Sequence, residues 1–232
     1  MTWPGLNWPH QALGVAAVAG WLALLASLAV AVRHRFNGTA TPHQREWSRK
    51  LVHIGTGAVV PIAWACGIAR PIALPAAGAI TLLAALNHRL RLLPAVEDVG
   101  RASYGTVAYG ASITLLLWLY WPQQPAPVTA GVLVMAFGDG LAGLLGPLVP
   151  SPSWQVLGQR RSLLGTTVMA GTSLLVLALL RSSLIPLGLE VPTWPALLGI
   201  AAAATLLEQI AIVGIDNLTV PLGVAWLWQQ LG

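Results

Sequence analysis

Apolar and polar positions divide the chain into long uncharged runs separated by short polar connections. The runs cover residues 11–32, 51–69, 71–86, 102–121, 128–150, 163–180 and 195–210, interrupted only by Asp139 and Glu208. Most are near the roughly 20 residues that a membrane-crossing helix needs, so each predicts a transmembrane helix. A last run, 218–231, is about 14 residues and predicts a tilted span, a re-entrant segment or a surface helix. Residues 184–193, marked by proline and glycine, predict an outer loop. The expected fold is all-α: a polytopic integral membrane bundle of about seven helices, six to eight, forming one domain over residues 1–232. The first run holds Ala29-Val30-Ala31, which looks like a signal-peptide cleavage site. No Lys or Arg precedes it and its apolar core exceeds the usual 7–15 residues, so 11–32 reads as a retained first helix.

Composition agrees. The chain is 56% hydrophobic with a mean hydropathy of +0.72 and only 8% charged, where soluble domains carry about 25%. No room is left for a separate soluble domain. The single cysteine, Cys66, excludes an internal disulfide and argues against a cysteine-held metal. Charge sets the orientation. Arg33, Arg35, Arg45, Arg49, Lys50, Arg89, Arg91, Arg101, Arg160 and Arg161 fall in odd-numbered connections, and only Arg70 and Arg181 in even ones. That asymmetry puts the odd connections in the cytoplasm and the N-terminus outside. The net charge of +5 then reflects topology and anionic headgroups. Nucleic acid is not an expected partner, because no contiguous basic patch with aromatic neighbours occurs.

The stretch "VLVMAFGDGLAG" carries the first candidate chemistry. Gly138, Gly140 and Gly143 spell G-x-G-x-x-G, which in a soluble α/β fold would bind a dinucleotide, with Arg160 and Arg161 about twenty residues on. That fold needs β-strands, and every flanking segment here has membrane-helix length. The remaining reading is an aspartate deep in a membrane helix, which costs about 2.5–3.5 kcal/mol and must face a cavity or a partner. Glycines on both sides would let the helix break and expose backbone N–H groups to a phosphate or metal.

Four further stretches hold polar groups. In "EWSRKLVHIGTG", Arg49, Lys50, His53 and Gly57 share one stripe of a helix, which suits phosphate or ordinary flanking of a membrane span. "VLGQRRSLLGTT" sets Gln159, Arg160, Arg161 and Ser162 between Gly158 and Gly165 at a helix start, with Thr166 and Thr167 following; it suits a polyphosphate or a plain basic loop. In "LLEQIAIVGIDNLTVPL", Glu208 lies within the apolar run, about 12 Å from Asp216 if the helix continues past Gly214. Asp216 and Asn217 either cap a new helix or ligate Mg²⁺. In "PAVEDVGRASYGTVAYG", Glu97 and Arg101 form a surface pair, while Tyr104 and Gly105 lie just inside the membrane within reach of a lipid substrate. On the expected topology all these groups gather at the cytoplasmic side. Carboxylates beside cations, with glycines for close approach, describe a Mg²⁺–nucleotide site that a lipid hydroxyl reaches sideways from the bilayer. Phosphoryl transfer asks mainly for positioning and charge neutralisation, which such a set supplies.

These motifs resemble those of the CTP-dependent polyprenol kinases, the family of dolichol and phytol kinases, over about residues 45–222. "SRKLVHIGTG" resembles the family's R-K-x-x-H-x-x-x-G element. "GDGLAGLLG" resembles D-x-x-A-x-x-x-G through Asp139, Ala142 and Gly146. "GQRRSLLGT" resembles G-x-[KR]-[KR]-S-x-x-G-T, and "IDNLTVPL" the D-N-x-x-x-P stretch. Local spelling is closest to phytol kinases of photosynthetic bacteria and plastids. Pro150 stands where dolichol kinases have a further glycine, and arginines replace lysines at 160 and 161. The resemblance implies transfer of the γ-phosphate of CTP to an isoprenoid alcohol such as phytol, in phytol salvage towards tocopherol and chlorophyll. It implies that Asp139 binds Mg²⁺ or acts as base, with Glu208 and Asp216 completing the acidic set. Arg49, Lys50, Arg160 and Arg161 would neutralise phosphates, with His53 orienting one of them. Kinases for another prenol or diacylglycerol, a CTP-dependent lipid cytidylyltransferase and a small transporter are the alternatives.

Overall fold

The computed structural model describes residues 7–35, 42–90 and 104–232. Its helices are α1 (Trp8–Arg35), α2 (Pro42–Thr56), α3 (Val59–Ala65), α4 (Arg70–Leu90), α5 (Gly105–Tyr120), α6 (Pro125–Leu145), α7 (Leu163–Leu184), α8 (Trp194–Ile210) and α9 (Asp216–Leu231). Four of these, α1, α4, α6 and α7, are long and apolar enough to cross a membrane, while α5 and α8 are apolar but shorter. The chain is thus a helical membrane bundle, in which four helices among the described residues reach full spanning length beside the shorter apolar ones. Glu97 and Arg101, read as a surface pair, and Arg91 lie outside the described residues.

α6 is the axle. Some 56% of its membrane window is buried, against 22% or less for the other three long helices. It packs against α2, α3, α5, α7 and α9, and Val128, Ala130, Val132, Val134, Met135 and Ala136 are fully enclosed. Hydrocarbon is as apolar as leucine, so helices in a bilayer gain little by hiding apolar surface; close backbone approach has to hold them. Gly131 supplies that approach, since a Cβ there would collide with the carbonyl of Pro221 on α9.

Three departures from the apolar pattern matter for the site. The 51–69 run is two helices, not one span. Gly57 and Ala58 make short turn bonds to Ile54 and Gly55, both 3.1 Å, between α2 and α3, and a Cβ on Gly57 would stand 2.5 Å from Ala136. Residues 159–162 lead into α7, with Ser162 at its N-cap, but are themselves extended. They form strand β2 (Gln159–Ser162), antiparallel to β1 (Ser153–Val156), because Leu157 and Gly158 take left-handed angles, φ 48° and 77°, in the two-residue turn. A small hairpin therefore sits on the otherwise helical chain. Finally, α8 stops at Ile210 and does not run on to Asp216. Val213 and Gly214 have φ of 55° and 86°, which no helix accommodates.

Buried turns are closed by side chains. Gln11 donates to Gly67 O at 3.0 Å and accepts from Ala69 N at 2.9 Å. The Trp121 indole donates to Ile68 O at 2.8 Å. Such bonds satisfy backbone groups between α3 and α4 that would otherwise be costly to bury.

If α6 depends on the Gly131 approach, Gly131→Val forces α9 outward and lowers stability by about 1–3 kcal/mol. Thermal unfolding of the detergent-purified protein checks this; an unchanged midpoint would show that the α6–α9 contact is not constraining.

Candidate active site

Asp139 ends a π-helical segment of α6, Val134–Asp139, a widened turn of a kind that recurs at functional sites. The expected break at the glycines does not occur. Gly140 keeps helical angles, φ −55° and ψ −53°, so α6 is wound through Asp139 and the glycines serve packing. A Cβ on Gly138 would stand 2.7 Å from Met169 Sδ on α7, one on Gly140 would strike Ile54 on α2, and one on Gly143 would lie 2.5 Å from Lys50 Nζ. The three positions of the G-x-G-x-x-G pattern thus admit α7, α2 and the lysine side chain.

Through that opening Lys50 reaches Asp139. Its Nζ donates to Asp139 Oδ2 at 2.7 Å and to the Asp139 carbonyl at 3.1 Å. His53, one turn along α2, places Nε2 3.3 Å from the same Oδ2 and 3.2 Å from Met135 O. Both neighbours are acceptors, a carbonyl and a carboxylate, so Nε2 carries the hydrogen. The Tyr109 ring lies 4.7 Å from the imidazole, and its hydroxyl donates to Val132 O at 3.3 Å. Tyr109 fixes the plane of His53 from α5, a role sequence reading missed because nothing in the spacing of α2 and α5 shows that they meet here. Asp139 Oδ1 has no partner among the described residues. It is the open oxygen of the cluster.

A second polar junction lies where β2, α7 and α8 meet. Arg161 is ion-paired with Glu208 and donates to the backbone oxygens of Glu208, at 2.6 Å, and Ala211, at 2.9 Å. Gln209 Nε2 donates to Glu208 Oε2 at 2.8 Å and to Thr166 Oγ1 at 3.0 Å. Ser162 caps α7 by accepting from Gly165 N at 3.2 Å, and Thr166 donates to Ser162 O at 2.9 Å. Gly165 keeps the start of α7 close to Gly146 at the end of α6. Arg161 and Glu208, expected as a phosphate ligand and as a member of the acidic set, are therefore bound to each other. Arg160 points the other way and donates only to Ser153 Oγ, at 3.3 Å, among the described residues. It stays exposed with Gln159.

Asp216 begins α9 and Asn217 follows it. The Asn217 amide donates to Gly214 O and to Asp216 Oδ1, each at 3.2 Å, and no side-chain cap forms on the first turn of α9. The charge of Asp139 is felt at Asp216 and at Glu208, that of Asp216 at Glu208, and that of Arg49 at Asp139. Tyr104 turns its ring to His88, 4.7 Å away, and its N–H to Val213 O, while Gly105 is buried at the start of α5. Among the described residues no three His, Cys, Asp or Glu side chains form a ready metal cage. Mg²⁺ at phosphoryl-transfer sites takes only one or two carboxylates and completes its shell with substrate phosphate and water. Asp216, with the open oxygen of Asp139 nearby, fits an ion of that kind.

The sequence is 42% identical over 190 residues to a phytol kinase from Synechocystis sp., covering 80% of this chain and 81% of the relative. No protein-family model matches the chain, and no solved structure does.

The Lys50–Asp139 pair makes a stability prediction. Lys50→Met strands a buried carboxylate and costs about 3–5 kcal/mol, and adding Asp139→Asn recovers much of the loss. Denaturant titrations of the two single variants and the double variant in micelles test this. Simple additivity would mean that the two side chains do not interact.

Proposed function

The chain belongs to the phytol kinase family, and we propose that it transfers the terminal phosphate of CTP to phytol, giving phytyl phosphate and CDP. Its relative's activity supports the alcohol acceptor, and the resemblance of its four motifs to CTP-dependent kinases supports the donor. The observation that carries the reading is the buried cluster of Lys50, His53 and Asp139, with one carboxylate oxygen left open.

Each residue has a chemical task in this reading. Asp139 Oδ1 takes the proton of the alcohol as its oxygen attacks phosphorus, and the bond from phosphorus to the β–γ bridging oxygen breaks to release CDP. Lys50 and His53 hold Oδ2, so the carboxylate presents one defined lone pair to the hydroxyl. Lys50, ending beside Gly143, and Arg49 set positive charge near the phosphates. Arg160, exposed on β2, would meet a polyphosphate. Mg²⁺ would supply charge neutralisation on the transferred phosphate, and Asp216 with Asn217 would hold it, leaving Asp139 Oδ1 to the proton. Gln159, Ser162, Gly165 and Thr166 shape the strand and helix start that carry Arg160 and Arg161. Tyr104 and Gly105 remain the proposed lipid-side contacts. The excess of basic residues in the odd-numbered connections supports a site that opens to the cytoplasm.

Membranes containing the protein, incubated with Mg²⁺, phytol and CTP labelled in its γ-phosphate, should yield labelled phytyl phosphate and CDP. Failure to label phytol, geranylgeraniol, dolichol or diacylglycerol by protein shown to be inserted would refute the kinase reading. Release of pyrophosphate would point to cytidylyl transfer instead.

A further inference from the structure

Between α8 and α9 the chain makes an irregular turn, Ala211 to Ile215, whose carbonyls all accept from protein donors. Ala211 O accepts from Arg161, Ile212 O from the Ile215 N–H at 3.0 Å, and Val213 O from the Tyr104 N–H at 3.2 Å. Gly214 O accepts from the Asn217 amide and Ile215 O from the Leu218 N–H. With these groups held inward, Ile212, Val213 and Ile215 are exposed, and exposed Tyr104 flanks them from the start of α5. Val213 keeps a left-handed φ of 55°, which a β-branched residue tolerates least and glycine most easily. A valine retained there points to a use for its side chain outside the fold's own packing.

This apolar rim borders the Asp139 cluster. Trp228 and Gln229, late in α9, line one cavity with Gln124 and Pro125 at the start of α6, so the two helices run antiparallel. From their contact at Gly131 and Pro221, Asp139 lies about 12 Å along α6 and Asp216 about 8 Å along α9, in the same direction. The two carboxylates are therefore within about one turn of the same depth, and α9 packs directly on the Val134–Asp139 segment. Gly131, Met135 and Asp139 recur at helical spacing on the stripe of α6 that meets α9.

We propose that Ile212, Val213 and Ile215, with Tyr104 beside them, bind the isoprenoid chain of the acceptor alcohol as it enters from the bilayer, so that its hydroxyl arrives on the Asp216 side of Asp139. The occupant follows from continuity with the site. The rim ends at Asp216, and its side chains are aliphatic or aromatic and carry no charge. An alcohol whose reactive end must reach a buried carboxylate has to leave its hydrocarbon on an apolar surface next to it. This inference rests on the kinase reading for the identity of the alcohol, and adds the loop residues that hold its chain.

The test compares kinetic constants of the full chain in membranes for phytol and for CTP. Val213→Gly suits the left-handed angle and should leave the protein folded, while raising KM for phytol about tenfold, as a lost aliphatic contact does. Values of kcat and of KM for CTP should not change. Ile212→Thr, which keeps the branched shape, should raise KM for phytol likewise. Leu179→Ala, exposed about 24 Å along α7 from its start, should not. An unchanged KM for phytol in both rim variants would mean that bulk lipid alone covers the rim, and an equal rise for phytol and CTP that the rim serves folding. Either result overturns the inference and leaves the kinase reading intact. A phytol analogue with a diazirine beside its hydroxyl, irradiated without nucleotide, should label residues 212–216 and be displaced by phytol. That labelling in a protein that transfers no phosphate would keep the binding surface and remove the kinase reading. Labelling elsewhere, or equal displacement by bilayer phospholipid, would remove the surface.

Discussion

A carboxylate within an apolar helix must find a cation, and the meeting of Lys50 with Asp139 is the constraint around which this bundle is arranged. Inserting either charge alone costs about 2.5–3.5 kcal/mol. Pairing them at 2.7 Å makes the carboxylate tolerable, but only if α2 lies close enough to α6 for a lysine to reach it. Gly140 and Gly143 permit that closeness on the α2 side, and Gly138 permits it towards α7. The π turn then sets the angle at which Asp139 leaves α6. Removing any of these would leave the same residues present and the cluster unformed.

The second junction divides the work. Arg161 and Glu208 bind each other and the backbone at the end of α8, and so tie the β1–β2 hairpin to the turn that precedes Asp216. Two adjacent arginines thereby acquire different fates: one is a tether, the other remains exposed. Nearest-neighbour alternation along a strand produces this outcome, since successive side chains point to opposite faces. Asp139 keeps an open oxygen while Glu208 does not, which separates two carboxylates that look equivalent as buried acids in apolar runs.

Much of the architecture was legible as a sequence. The runs at 11–32, 71–86, 163–180 and 195–210 lie within α1, α4, α7 and α8, because long uncharged stretches have few alternatives to a helix. The family was legible in four ordered motifs. The gathering of Lys50, His53 and Asp139 was partly so, since an intramembrane aspartate calls for a partner and the positive stripe on α2 offered one. What failed did so for identifiable reasons. The glycines around Asp139 were read as freedom to break the helix, whereas their neighbours are set by packing that no local pattern encodes. Residues 159–162 do stand at a helix start, with Ser162 capping α7, but the hairpin that Leu157 and Gly158 turn just before it has no apolar pattern to announce it. Tyr109 and Gln209 lie within the quoted polar stretches, yet only their contacts give them a role.

The most direct test of the account is single-turnover phosphate transfer by Asp139→Asn, with nucleotide binding measured on the same preparation. The open oxygen of Asp139 is held to accept the alcohol's proton. Transfer should therefore fall by about 10²–10⁴-fold, while nucleotide affinity changes far less, because an amide keeps the shape of the side chain. Transfer at the unmutated rate would contradict the assignment of Asp139 and remove the centre of the mechanism.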